Sequence, residues 1–101
     1  MTNAELARNG FEELRQGNLD AIAELLAPDV RWHGGDPDAE GACRNRGEAL
    51  GFMRRALDNG VVPDVIDVTE SGDEVFVRHA RGGVALTFRD GKIVEMVHRP
   101  G

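Results

Sequence analysis

The feature that most constrains this chain is a change of period near Asn59-Gly60. Before it, apolar residues recur at helical spacing. After it they alternate, in short runs separated by turn residues. Val62 to Glu70, Glu74 to Arg81, Val84 to Arg89 and Ile93 to Arg99 read as strands. Ser71-Gly72-Asp73, Gly82-Gly83 and Asp90-Gly91 divide them. Asp-Gly between apolar runs is a strong hairpin signal, and connections this short make neighbours antiparallel.

The first half reads as helices. Thr2-Asn3-Ala4-Glu5 is a capping box, in which the hydroxyl meets a free backbone N–H and the glutamate reaches back. Leu6, Ala7, Phe11 and Leu14 follow on one face, and Gly17 stops the helix. Asn18 caps a second helix with Leu19, Ile22, Leu25 and Leu26 as its stripe, closed by Pro28. Val30 to His33 alternates as a half-buried strand. Gly34 to Gly47 is a loop with a short edge strand near Ala42 to Arg46, and Gly47 to Asp58 is a third helix with core positions Leu50, Met53 and Leu57.

Helices first and a strand meander afterwards predict an α+β fold with the helices on one face of a curved antiparallel sheet. At 101 residues the chain forms a single domain, 1–101, because two halves would each be too small to bury a core. An uncovered apolar sheet face, with Val65, Phe76 and Val97 as candidates, predicts a homodimer. The net charge of −6, with no basic cluster, argues against nucleic acid and anionic membranes as partners. No apolar run reaches the ~20 residues of a membrane span. Met1 to Asn18 carries acidic residues and no apolar signal core, and one cysteine, Cys43, makes no internal disulfide. A cytoplasmic location is expected.

Three stretches, in order, carry a resemblance. Gly17-Asn18-Leu19-Asp20-Ala21-Ile22-Ala23-Glu24-Leu25-Leu26-Ala27-Pro28-Asp29-Val30-Arg31-Trp32 is similar to the helix-to-strand passage of the nuclear transport factor 2-like superfamily, SnoaL-like branch. Asn45-Arg46-Gly47-Glu48-Ala49-Leu50 resembles its turn into the third helix, and Phe88-Arg89-Asp90-Gly91-Lys92-Ile93-Val94-Glu95-Met96 its last hairpin. The resemblance implies a cystatin-like cone with an internal pocket between helices and sheet, and often a homodimer packed through the sheets. Members include ketosteroid isomerases, polyketide cyclases, epoxide hydrolases and proteins that only bind, so the fold does not name a reaction. The chain is shorter than typical members and ends after the last strand, which implies a shallower or more open pocket.

Ketosteroid isomerases use an aspartate base at the end of the first strand, where this chain has Gly34. They hold the enolate oxygen with a tyrosine and a protonated aspartate. This chain has no tyrosine, and Val84 takes the aspartate's place. Steroid isomerisation is therefore not expected, and no counterpart of the cyclase aspartate is evident.

If Met96 faces inward, as the resemblance implies, alternation turns Val94 and His98 inward too. The matching sets are Val75, Val77, His79 and Arg81, then Val84, Leu86 and Phe88, and Val30 with Trp32, leaving His33 turned away. An apolar wall with a few polar groups is the composition of a small-molecule site. His79 is the candidate acid or base and Arg81 the clamp for an oxyanion, both catalytic. Trp32, Leu86, Phe88, Met96 and His98 are the candidate ligand contacts. Each has a plainer reading: strand-end histidines bonded to a neighbour or water, a solvated arginine, a core tryptophan. His33, His79 and His98 lack metal-ligand spacing, and neither a metal nor a cofactor is expected. Asp36, Asp38 and Glu40 read as a solvated loop across the pocket mouth. The expectation is thus a small-molecule-binding domain, as an enzyme a cofactor-independent isomerase, cyclase or hydrolase. The alternative is a non-catalytic homodimeric binding or assembly module.

Overall fold

The computed structural model describes residues 1–61 and 64–99. Helix α1 spans Asn3–Arg15 and α2 Leu19–Leu25; β1 spans Leu26–His33 and α3 Arg46–Asp58. Four strands follow: β2, Val65–Ser71; β3, Glu74–His79; β4, Gly82–Arg89; and β5, Lys92–Arg99. The expected strand start at Val62 lies outside the described residues.

Local chemistry sets the helix starts. The Thr2 hydroxyl accepts from the Glu5 N–H at 3.1 Å, and Glu5 Oε1 accepts from the Thr2 N–H at 3.0 Å. Glu70 of β2 adds a third acceptor for the same terminus, taking the Ala4 N–H at 2.8 Å. The Asn18 side chain accepts from the Ala21 N–H, and that of Asn45 from the Glu48 N–H. Gly10 of α1 lets α2 come close, since a Cβ there would lie 2.8 Å from Leu25 Cδ2.

The fold is α+β, with a five-stranded sheet in the order β1-β5-β4-β3-β2. Residues of all three helices, among them Ala7, Ile22, Ala49 and Met53, share one core with Val75, Val77, Leu86, Phe88 and Met96 from one sheet face. The three later pairings are antiparallel as the turns predict. The first strand is different, because β1 runs parallel to β5. Parallel neighbours need a long crossover, and here the whole chain from α3 to β4 supplies it.

Four local expectations are corrected. The second helix ends at Leu25 rather than at Pro28, and β1 begins at Leu26. Pro28 is accommodated because β1 is an edge strand with an irregular ladder: Leu26 pairs with Ile93 and Arg31 with Glu95, so four residues of β1 oppose Val94 alone. The edge strand near Cys43 reduces to a single bridge with Trp32, made by N–H···O bonds of 2.9 and 2.8 Å. Val94 does not share the face of Met96. Thr87 pairs with Glu95 and Phe88 with Ile93, which leaves Val94 as the extra residue of a bulge and turns Ile93 inward. A second bulge at Ile66 puts Val65 against the core instead of on the open face.

Candidate functional site

The helices and the inner sheet face enclose a cavity of about 180 Å³. Strand alternation supplies one wall: Trp32 from β1, His79 from β3, Val84 and Leu86 from β4, and Ile93, Met96 and His98 from β5. The helices supply the other, through Phe11, Leu14, Leu25, Phe52, Met53 and Leu57 among others. Phe52 is 41% exposed and Val61 37%, so these two lining residues mark the mouth. Among the described residues, the ionisable side chains in the lining are His79 and His98.

His79 is the last residue of β3 and pairs with Gly82; His98 pairs with Val84 on the other flank of β4. Both imidazoles therefore stand at the same end of the sheet. The Arg81 N–H donates to His79 Nδ1 at 3.3 Å. A neutral His79 so held carries its proton on Nε2, the nitrogen left to donate. The His98 ring lies against Trp32, with centroids 5.4 Å apart and planes tilted by 31°. The ring is exposed on its other side, and its partial desolvation, then the nearby His79, lower the His98 pKa below its usual value. Phe52 meets the other side of this cluster, edge-on to Trp32 at 4.8 Å. The indole N–H of Trp32 is buried without a hydrogen-bond partner among the described residues.

A second cavity of about 200 Å³ lies under the loop that contains Asp36, Glu40 and Cys43. Trp32, Phe52 and His98 line both cavities, so this aromatic cluster is the partition between them. His33 borders the second cavity, away from the first as alternation predicts. Burial pushes the Cys43 thiol pKa up, with Glu48 adding to the effect.

Of the residues singled out from sequence, Trp32, His79, Leu86, Met96 and His98 are brought together on the first cavity. Phe88 and Arg81 are not. Phe88 is buried in the core near the opposite end of β4 from Val84. Arg81 lies past the end of β3 and is exposed, because the chain turns at Ala80-Arg81 before Gly82 opens β4. Its contact with His79 is made by the backbone. Phe52, Ile93 and Val61 join the lining without having been expected. Phe52 stands four residues before Ala56, another lining residue, so the apolar stripe of α3 is wider than Leu50, Met53 and Leu57 alone suggest. Gly34 follows the end of β1 and borders only the second cavity, while Val84 lines the first. Neither position carries a carboxylate.

Residues 7–96 match the family described as the SnoaL-like domain. No curated protein matches the chain. Among solved structures, Bal32a from a soil-derived mobile gene cassette is similar at a TM-score of 0.82 and 19% identity, over 96% of this chain and 87% of that one. A candidate polyketide cyclase from Sinorhizobium meliloti superposes at 0.80 with 19% identity, covering 94% of each chain. A candidate ketosteroid isomerase from Kribbella flavida does so at 0.78 with 23% identity, over 94% of this chain and 74% of that one. At these identities the likeness is one of fold. The family match over nearly the whole chain, joined to the helix-on-sheet architecture, makes this protein a member of the SnoaL-like domain family.

Proposed function

We propose that the domain binds a small apolar molecule in the first cavity and acts on it by cofactor-independent proton transfer. One observation carries the reading: an apolar cavity of about 180 Å³ whose ionisable lining groups, among the described residues, are two imidazoles at one end. An apolar cavity of about 150 Å³ holds a benzene-sized molecule, so the space suits a small ring or short chain. His98, with its lowered pKa, is neutral at neutral pH and able to accept a proton. The Nε2–H of His79 is available to donate to a developing oxyanion. Isomerisation, cyclisation, dehydration and hydrolysis of a carbonyl compound all use such a pair. Arg81, exposed at its turn, serves this reading only by orienting His79.

The test is a screen of small cyclic and enolisable carbonyl compounds for turnover, repeated with His79→Ala. Turnover that disappears in a folded His79→Ala protein supports the reading. Full activity in that variant removes the mechanism.

The outer sheet face favours an accompanying homodimer. Register sets Phe76 opposite Ala85 and Ala85 opposite Val97, an apolar row across three strands. Sedimentation equilibrium tests it: a dimer mass that Val97→Lys converts to monomer supports the pairing, and a monomer at all concentrations excludes it.

A further inference from the structure

Accepting the first cavity as a ligand site, the class of its ligand follows from what the wall contains and what it omits. Among the described residues, the lining contains no Asp, Glu, Lys or Arg side chain. Its ionisable groups are His79 on β3 and His98 on β5, on either flank of β4 and both turned to the same end of the cavity. Without a ligand, partial desolvation and then the neighbouring His79 oppose charging of the His98 ring. An anion placed at that end reverses both effects, because it offsets the desolvation of an imidazolium and screens one ring from the other. A ligand with a cationic end meets no carboxylate among the described lining residues.

We propose that the cavity selects an apolar weak acid, a carboxylate or phenolate on a small hydrophobic body, whose anionic end sits at His79 and His98 and whose binding takes up a proton. Other charged groups around the pair leave this intact. The strand partners of His79 are Val65 and Gly82, and that of His98 is Val84, all uncharged. Trp32 of β1 lies against one side of the His98 ring, which is otherwise exposed, and Phe52 of α3 lies edge-on to Trp32. Arg81 reaches His79 through its backbone N–H, and its exposed side chain lies outside the lining. Asp36 and Glu40 face the second cavity, beyond the aromatic partition, and both are exposed to screening solvent. His33, also on that side, has both ring nitrogens engaged, by Glu95 and by the Gly35 N–H.

The probes are 2-naphthoate and its neutral counterpart 2-naphthamide, titrated calorimetrically in two buffers of different ionisation enthalpy. The expected result is naphthoate binding that weakens as pH rises from about 6.5 to 8, approaching about ten-fold per pH unit, the limit for uptake of one proton. Naphthamide binding stays level with pH. In the His79→Gln/His98→Gln double variant, naphthoate binding falls to the level of the amide or below, while retained amide binding reports an intact cavity. Naphthoate affinity that ignores pH, or that survives the double substitution, overturns the weak-acid assignment and leaves the cavity reading standing. Amide binding with no naphthoate binding does the same. If neither compound binds the unaltered protein, the cavity reading fails, and this inference fails with it.

Discussion

The buried imidazole of His33 bridges the parallel pair of strands, with Nε2 2.9 Å from Glu95 Oε2 on β5. The Gly35 N–H donates to its Nδ1 at 3.0 Å, so Nε2 carries the proton and donates to the carboxylate. One side chain thus ties the end of β1 to β5 and holds the start of the following loop. Replacing Glu95 by Ala leaves a buried donor unpaired. A loss of about 1–3 kcal/mol is expected in urea unfolding, and Glu95→Gln, which keeps an acceptor, costs less.

Phe76 lies across Gly83 on the outer sheet face. A Cβ at Gly83 would stand 2.4 Å from the ring Cζ and 3.1 Å from the Val77 carbonyl. Glycine is required there for close approach rather than for its backbone angles. Gly83→Ala is expected to destabilise by about 1–3 kcal/mol. In a Phe76→Ala background the same substitution costs less, and a double-mutant cycle reads the difference.

The His98 pKa gives a pH dependence of definite sign. Its folded value lies below 6.5, so the unfolded chain binds the proton more readily. Stability from this group is complete above about pH 6.5 and declines as pH falls toward the folded value. His98→Gln should flatten that part of the profile of urea midpoint against pH. An unchanged slope would show that another group sets it.

Cys43 behaves in the opposite sense. Its thiol pKa is raised above 9.0 by burial, so stability is lost as pH climbs past that value, where the unfolded chain ionises first. At neutral pH the folded protein should react with iodoacetamide far more slowly than the protein in urea. Equal rates would show that the thiol is accessible in the folded state.

The start of α1 combines a capping box with a carboxylate from β2. Thr2→Ala removes the local acceptor and is expected to cost about 0.5–2 kcal/mol. Glu70→Ala removes the partner of the Ala4 N–H and should loosen the contact between α1 and β2, seen as faster amide exchange at Ala4.

Much of the site was legible before folding. Caps at Thr2 and Asn18, turn residues at Ser71-Gly72-Asp73 and Asp90-Gly91, and the shift from helical to alternating period are local signals, and each depends on a few neighbouring residues. Alternation then placed Trp32, His79, Leu86, Met96 and His98 on one wall, because within a regular strand the side chains two apart must share a face. What alternation could not see is where a strand stops being regular. The bulges at Val94 and Ile66 exist only because partner strands impose a register, and each turns its neighbours to the other face. The turn that leaves Arg81 exposed, the parallel pairing that draws Leu26 to Asp29 into β1, and the helix positions of Phe52 and Leu14 against the sheet are likewise settled by packing between distant segments. Spacing along the chain specifies which faces are apolar. Only the tertiary structure decides which of those faces meet, and so which two histidines close one end of the cavity.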